Sequence, residues 1–261
     1  MSLSAESVVA ASNAWAWVPD EAVTVETDEY LLTRFPDYFD HPLEVMRFRP
    51  AGPVEEAMTA VLDRAREFGL PVVYWFARLD GPAEVPALLA ARGATVDETL
   101  DVLAADLTGG APTLPPPAWD VELRWATDAA AFDDEAALTV AVFGGSLPPE
   151  GRSAERAERE GPNVAAGEGG SVIAYAADVP VGMGGVSMAG EVARLWGGGV
   201  AETARGHGVY RAVLGARLAY GAAHGAKMAL VKGRIETSGP ILRQAGFAVY
   251  GQEVIYRVPL T

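Results

Sequence analysis

The chain has 261 residues, half of them apolar, and its 35 acidic and 20 basic side chains give a net charge of −15 at pH 7. This charge disfavours binding to nucleic acid or to an anionic membrane, and the sequence contains no concentrated basic patch that would reverse it. The absence of cysteine excludes disulfides, thiolate nucleophiles and cysteine-ligated zinc. The three histidines, His41, His207 and His224, form no spaced pair, so we expect no metal site. A small partner that carries an amine suits the acidic field.

The sequence carries no membrane or export signal. No apolar run approaches the roughly twenty residues that a membrane helix needs. Residues 1–6 lack the basic region and the apolar block of a signal peptide. We therefore expect a cytoplasmic protein that does not bind membranes, and its oligomeric state, monomer or homodimer, is left open.

Four regular elements are predicted in the first half of the chain. Apolar side chains recur there at helical spacing in two segments, each followed by a glycine that stops a helix. Apolar runs of strand length follow each of them. The predicted elements are a helix at 54–68 ended by Gly69, a strand at 71–77, a helix at 83–92 ended by Gly93 and a strand at 95–107.

A Gly/Pro-rich segment near the middle of the chain predicts a domain boundary. It contains Gly109, Gly110 and the run Pro115 to Pro117. Glycine and consecutive prolines cannot sustain a helix or a central strand, and they favour an extended spacer. We predict one domain over residues 1–110, a linker over 111–118 and a second domain over 119–261.

The second half repeats the order helix, strand, helix, strand after several additional elements. Residues 144–170 are rich in glycine, proline and charge, which predicts a mobile loop that holds a short exposed helix. This loop is either a lid or a solvated insertion. The predicted elements are strands at 121–125, 171–177, 181–188, 191–196, 227–232 and 248–258, and helices at 129–142, 208–224 (ended by Gly225) and 239–245 (ended by Gly246).

The segment between the strand at 191–196 and the helix at 208–224 has the composition of a phosphate-binding loop. Gly206 and Gly208 allow the chain to expose several backbone amides at the start of the helix, where they have no intrahelical acceptor. Arg205 and Arg211 add positive charge. This arrangement suits a pyrophosphate.

This loop resembles the signature of the Gcn5-related N-acetyltransferases (GNAT), Arg/Gln-x-x-Gly-x-Gly/Ala. Arg205 and Gly208 match the pattern, and Tyr210 occupies its last position, where a small residue is usual. The run from Thr237 to Phe247 is similar to the closing helix and Gly-Phe turn of the family. The resemblance covers about residues 119–258 and implies an α/β fold of two tandem GNAT-like domains, each a splayed mixed sheet flanked by helices.

The resemblance also implies a ligand and the residues that hold it. Acetyl-CoA would lie between the strand that ends at Val200 and the strand at 227–232, with its pyrophosphate on the loop. The proton donor of many family members is a tyrosine at the position of Leu242 here, so the catalytic groups stay unassigned. The residues predicted to bind acetyl-CoA are Val200, Arg205, Gly206, His207, Gly208, Val209, Tyr210, Arg211 and Ser238.

Tyr210, Tyr250 and Tyr256 are the tyrosines nearest in sequence that could replace the missing acid, and Glu191 and Glu202 are conceivable bases. The first half resembles a degenerate copy of the same domain, because residues 47–53 stand where the phosphate loop would be and do not match its pattern.

Three functional hypotheses follow. The first is an N-acetyltransferase that moves an acetyl group by direct attack of an amine in a ternary complex, with a small molecule or an amino terminus as acceptor. The second is a non-catalytic acyl-CoA-binding or sensing protein, which the leucine at position 242 favours. The third is a structural protein that has lost the ligand in both halves, and the intact Arg-Gly-x-Gly run argues against it.

Overall fold

The computed structural model describes residues 3–260. The first part of the chain begins with a helix and an antiparallel three-stranded meander, and then alternates helices and strands. Gly69 and Gly93 follow its second and third helices with φ angles of +69° and +78°, which explains their use as helix stops. The elements are α1 (Ala5–Asn13), β1 (Val23–Glu26), β2 (Tyr30–Arg34), β3 (Leu43–Phe48), α2 (Val54–Arg66), β4 (Val72–Ala77), α3 (Val85–Ala91) and β5 (Thr95–Asp106).

The second part of the chain repeats the alternation after an antiparallel hairpin system. Gly225 and Gly246 end its last two helices with φ angles of +88° and +94°. The elements are β6 (Glu122–Trp125), α4 (Ala129–Phe143), α5 (Arg152–Glu160), α6 (Asn163–Ala166), β7 (Gly169–Ala176), β8 (Val179–Ala189), β9 (Val192–Val200), α7 (Val209–Ala223), β10 (Met228–Arg234), α8 (Ser238–Gln244) and β11 (Ala248–Pro259).

The predicted elements agree with these bounds to within a few residues, except in β9. The apolar run predicted a strand at 191–196, and the structure extends β9 through three glycines to Val200, the end that the resemblance implied. A Cβ on Gly198 would lie 3.1 Å from the Tyr210 ring, and one on Gly199 would lie 2.7 Å from Val142. Glycine therefore serves in this strand to admit side chains from the helices on either face.

All eleven strands belong to one mixed sheet, in the order β1-β2-β3-β4-β11-β5-β10-β9-β8-β7-β6. The predicted fold class is confirmed, and the structure adds that the sheets of the two halves are continuous. Their last strands exchange neighbours. The first-half strand β5 pairs antiparallel with β10, and the C-terminal strand β11 pairs antiparallel with β4. Each half therefore completes the sheet of the other.

Helices cover both faces of the sheet. Alternate residues of β5 and β10 separate the two sides: Leu103 and Val231 pack with α7 and α8, whereas Val102 and Leu230 pack with α1. Helices α2 and α3 lie on the α7 side, and α4 lies on the α1 side. None of the helices described between residues 3 and 260 has the length and apolar character needed to cross a membrane.

A buried ionic cluster joins the N-terminal helix to strands from both halves. The carboxylate of Glu253, on β11, is fully buried and accepts a hydrogen bond from Lys232 Nζ at 2.6 Å and from Ser12 Oγ at 3.1 Å. Arg78, which follows β4, lies 3.8 Å from the same carboxylate and donates to the carbonyls of Ser12, Trp15 and Met46. The cluster fixes α1 on the sheet.

Replacing Glu253 with alanine is expected to lower the free energy of unfolding by about 3–5 kcal/mol, because it leaves the ammonium of Lys232 buried without its partner. Urea denaturation measures the effect. Glu253→Gln is the matched control, since it keeps the shape and one acceptor oxygen for Lys232, and it should cost less. A loss below about 1 kcal/mol for the alanine variant, as at an exposed ion pair, would show that the cluster does not stabilise the fold.

Candidate functional site

The predicted loop connects the C-terminal end of β9 to α7. After Val200 the chain makes one 3-10 turn at Glu202–Ala204, and then Gly206 and Gly208 adopt φ angles of +82° and +81°. Gly208 is the N-cap of α7, and its cap position has no side-chain hydrogen bond. Both glycines therefore occupy left-handed conformations that other residues rarely adopt.

This loop presents a row of free amides. Within residues 3–260, the backbone N–H groups of residues 206–211 have no acceptor, and the first amide of α7 with one is that of Ala212, which donates to the Gly208 carbonyl at 3.2 Å. The amide of Arg205 is already used, because it donates to the Glu202 carbonyl at 3.2 Å. Six consecutive donors without acceptors at a helix N-terminus are an arrangement suited to an anion.

The side chains of the predicted site residues point in different directions. Val200 and Val209 are buried in the core, so each can offer only its backbone. His207 stacks on Trp119, with ring centroids 4.2 Å apart, and its carbonyl accepts a hydrogen bond from the Ala118 amide at 2.8 Å. The end of the Gly/Pro segment thus holds the loop from one side.

The two arginines of the motif flank the free amides. Arg205 is exposed, and its Nε donates to the Val200 carbonyl at 3.4 Å. Arg211 is half-buried and its Nε has no partner within residues 3–260. A Cβ on Gly208 would lie 2.8 Å from the Arg211 guanidinium and 2.9 Å from Cα of Pro117, which restricts this position to glycine.

Beside the loop, the parallel strands β9 and β10 separate. They pair through only four positions, from Val192 with Met228 to Leu195 with Val231. Gly197 then adopts a φ of +57°, and the register between β8 and β9 shifts at this point, so a bulge bends β9 away from β10. The resulting opening is called the splay below. Ser238, at the start of α8, is half-buried next to Gly233 of β10, on the wall opposite the loop.

Tyr210 fills part of the splay on the α7 side, together with an arginine that the sequence analysis did not single out. Arg217 is only 1% exposed, and its Nη1 donates to the carbonyls of Gly185 and Trp196 at 3.4 and 3.3 Å. Its Nη2 has no partner within residues 3–260. A Cβ on Gly198 would lie 3.2 Å from Nη2 of Arg217 and 3.3 Å from the Tyr210 hydroxyl oxygen.

Electrostatics couples these two groups. Burial lowers the pKa of Arg217, and the neighbouring Tyr210 phenol opposes that shift. No carboxylate contributes to the balance. Arg217 is therefore a buried cation whose charge is compensated only by carbonyl oxygens and a phenol.

The other residues considered for proton transfer lie elsewhere. Leu242 is fully buried in the core shared by α7 and α8. Tyr250 reaches toward the Leu3 carbonyl, and Tyr256 packs in the core of the first half. Glu191 pairs with Lys227 at the opposite end of β9 from the loop, whereas Glu202 is exposed beside it. In the described part of the chain, no three His, Asp or Glu side chains are grouped to hold a metal ion.

The turn of the first half that corresponds to the loop, at residues 49–53, lacks the motif and differs from the loop in how its amides are bonded. The parallel strands β3 and β4 also pair only briefly, at Glu44 with Tyr74 and Val45 with Trp75. Before α2, however, the Ala51 amide donates to the carboxylate of Glu29 at 2.7 Å. An internal anion thus occupies this turn, and prolines on either side reduce the number of amides.

A cavity of about 280 Å³ lies on the α1 side of the sheet, and we call it the aromatic pocket. Its wall consists mainly of aromatic rings, with three ionisable side chains. The lining residues used below are Trp15, Trp17, Phe35, Phe39, Phe76, Glu44, Arg78 and Lys232.

Burial raises the pKa of Glu44 from its ordinary value of 4.5 to about 8. Because the folded state binds this proton more tightly than the unfolded state, the associated stability is complete below pH 4.5 and is lost as the pH rises through about 8. The free energy of unfolding of Glu44→Gln, taken relative to that of the wild type, should therefore be higher at pH 9 than at pH 5 by roughly 2–4 kcal/mol.

Parallel chemical denaturation of the two proteins across this pH range measures the difference. The comparison also separates the effect of Glu44 from that of His41, because His41 is present in both proteins. Its Nδ1 lies 3.8 Å from Oε1 of Glu44. A difference that does not change with pH would show that Glu44 titrates normally.

No protein-family model and no curated protein sequence matches the chain. Many solved structures do match it. A GCN5-related N-acetyltransferase from Kribbella flavida aligns with a TM-score of 0.64 at 15% identity over 91% of this chain and 90% of its own. A GCN5-related N-acetyltransferase from Sphaerobacter thermophilus aligns with a TM-score of 0.63 at 19% identity, over 98% of this chain and 86% of its own. A tandem GNAT protein from the clavulanic acid biosynthesis pathway aligns with a TM-score of 0.60 at 17% identity, over 94% of this chain and 85% of its own.

These similarities extend over both halves of the chain. The protein therefore has the fold of the Gcn5-related N-acetyltransferases, in an arrangement shared with a tandem protein of that kind, and the predicted fold family is confirmed. The identities are low, so the likeness concerns the fold.

Some residues of the site carried a signal in the sequence that the analysis did not use. Arg217 lies four residues after Val213 and three before Tyr220, on the predicted apolar face of α7. A charged residue on such a face indicates either a buried polar contact or a site. Lys232, by contrast, ends a predicted strand, and nothing local distinguishes it from a solvated lysine.

Proposed function

We propose that this chain is an N-acetyltransferase that moves the acetyl group of acetyl-CoA to the amine of a small molecule or an amino terminus. The observation that carries the proposal is the row of six free amides at residues 206–211, placed at the end of a splayed strand in a GNAT fold. Pyrophosphate is the part of acetyl-CoA that such a row of donors fits.

In this proposal each predicted residue has a defined part. The amides of residues 206–211 bind the pyrophosphate, and the side chains of Arg205 and Arg211 supply positive charge. Val200 and Ser238 lie on the two walls of the splay, where the pantetheine arm would run. The amide of Arg205 is bonded to the Glu202 carbonyl, so this residue would act through its guanidinium.

The reaction forms a bond from the amine nitrogen to the acetyl carbon, breaks the carbon–sulfur bond, and requires a proton for the departing thiolate. Tyr210 is the tyrosine in the splay, and we assign it this donor role in place of the family's usual tyrosine. Arg217, which lies beside the Tyr210 hydroxyl, would act as a positioning residue for this phenol, and solvent would return the proton that the phenol gives up. The acceptor amine loses its own proton to solvent or to a base that stays unassigned.

A second function has a specific observation in its favour. Leu242 is buried at the usual position of the acid, and Tyr210 replaces the small residue of the signature, so the chain could bind an acyl-CoA without turnover. Acetyl-CoA binding is common to both functions, and acetyl transfer separates them.

The test incubates the protein with acetyl-CoA and a panel of primary amines, and it measures thiol release together with the mass of the acetylated product. The proposal expects amine-dependent release of one thiol per product formed. Binding of acetyl-CoA without product across the panel would favour the sensing function, and absence of binding would reject both.

A further inference from the structure

The aromatic pocket adjoins the splay on the side opposite α7. Lys232 lines the pocket and is also the first residue of β10 beyond the positions that pair with β9. The rest of the lining comes from the first half of the chain, including Trp15 and Trp17 after α1 and Phe76 on β4. Both halves therefore build one cavity, which adjoins the splay at Lys232.

The inner end of the pocket carries excess positive charge, in contrast to the chain as a whole. Arg78 and Lys232 line it there, and Arg194 is close enough to Arg78 to feel its charge: burial lowers the pKa of each of the three, and Arg78 lowers the pKa of the other two further. Two carboxylates, Glu253 and Asp80, oppose this lowering of the pKa. Glu253 is paired with both Arg78 and Lys232. The other, Asp80, is paired with Arg49.

The two lining cations, Arg78 and Lys232, thus share one carboxylate, Glu253, and Arg47, another cation near Arg78, is paired with Glu26. Burial raises the pKa of Glu44, on the pocket wall, to about 8, which disfavours a negative charge there. Partly buried, uncompensated cations favour a ligand that brings a negative charge.

The outer part of the pocket is apolar and partly open. Trp17 is 58% exposed, an unusual fraction for this residue, and its ring stacks on Phe35 at 6.5 Å and lies 6.1 Å from Phe39. An exposed aromatic cluster at the rim of a cavity indicates a ligand with an apolar body. The volume of about 280 Å³ is enough for one small ring and a short chain.

We propose that the aromatic pocket is the acceptor site, and that the acceptor is a primary amine that also carries a carboxylate and an apolar body, as an aromatic amino acid does. The proposal rests on the proposed acetyltransferase function. The apolar body would lie among Trp17, Phe35 and Phe39, and the carboxylate would contact Lys232 at the inner end. The neighbouring amine would then face the splay.

Three related compounds test the proposal: phenylalanine, 3-phenylpropionate, which lacks the amine, and phenethylamine, which lacks the carboxylate. Their binding to the full chain is measured by calorimetry without acetyl-CoA. We expect 3-phenylpropionate to bind at least about tenfold more tightly than phenethylamine, because it alone of the two brings a group that pairs with Lys232. Equal or tighter binding of phenethylamine would overturn the carboxylate requirement.

Two variants locate the binding. Lys232→Gln should remove the preference for 3-phenylpropionate, whereas Lys227→Gln, a lysine at an exposed ion pair outside the pocket, should keep it. Since Lys232→Gln also leaves Glu253 unpaired and could fail to fold, Trp17→Ala serves as the second variant, because its side chain is exposed. It should weaken binding by about fivefold through the lost ring contacts. Unchanged binding in Trp17→Ala would reject the pocket.

Acetyl transfer provides the remaining readout. The proposal expects phenylalanine to be acetylated with a higher kcat/KM than phenethylamine. If the carboxylates bind as expected and no acetyl transfer occurs with any amine, the proposed function fails and the pocket stands. If phenethylamine is acetylated as well as phenylalanine, the function stands and the pocket proposal fails.

Discussion

Replacing Gly206 with aspartate is expected to weaken acetyl-CoA binding by about 100-fold or more, whereas asparagine at the same position should weaken it by less than about tenfold. Gly206 has a φ of +82°, and no atom lies within 4 Å of the position of its Cβ. Asparagine and aspartate are the residues that best tolerate this conformation, and they have the same shape. The difference between them is therefore the charge placed against the pyrophosphate.

Calorimetric titration of the two variants with acetyl-CoA measures this difference, and circular dichroism confirms that both are folded. Gly208 is the less suitable position, although it belongs to the signature, because any Cβ there would meet the backbone of Pro117 and disturb the fold. Equal affinities for Gly206→Asp and Gly206→Asn would show that the phosphates bind elsewhere.

Replacing Tyr210 with phenylalanine is expected to lower kcat by roughly 10²- to 10⁴-fold, the usual contribution of a general acid. The affinity for acetyl-CoA should change little, since phenylalanine keeps the ring that lies against Gly198. Single-turnover kinetics with the best acceptor, beside a calorimetric titration with acetyl-CoA, separates the two quantities.

Tyr250→Phe is the matched control, because this tyrosine lies near Leu3 and outside the splay, and its activity should equal that of the wild type. If Tyr210→Phe keeps the full kcat, Tyr210 only fills the splay and water or another group protonates the thiolate. A loss that appears entirely in acetyl-CoA affinity would give it a binding role.

Much of the local structure of this protein could be predicted, because it depends on short-range rules. Gly69, Gly93, Gly225 and Gly246 each stop a helix, and all four have φ angles between +69° and +94° in the structure. The spacing of apolar residues located α2 and α7, and the Arg-Gly-x-Gly run located the free amides. These signals lie within one or two turns of the residues they describe.

The arrangement of the two halves could not be predicted, because it depends on contacts between distant segments. A repeat of helix, strand, helix, strand is compatible with separate sheets as well as with the exchange of β5 and β11. The role of the glycines at 197–199 also depends on distant residues, since they admit the side chains of Tyr210 and Val142. Strand glycines are ambiguous until the packing helices are known.

The aromatic pocket and its charges are the clearest example of this limit. Trp17, Arg78 and Lys232 are separated by up to 215 positions in the sequence, and each alone is an ordinary side chain. The exchange of strands places Lys232 and Glu253 beside Arg78. Because these side chains are buried together, the local charge differs from the net charge of −15.

Hydrogen exchange of the wild-type protein with and without acetyl-CoA, read by mass spectrometry on short peptides, tests the central claim most directly. The amides of residues 206–211 have no internal acceptor within residues 3–260, so they should exchange rapidly alone. Acetyl-CoA should protect them strongly and leave the corresponding turn at residues 49–53 unchanged. Unaltered exchange at 206–211 with saturating acetyl-CoA, or protection confined to the first half, would contradict the assignment of this loop as the acetyl-CoA site.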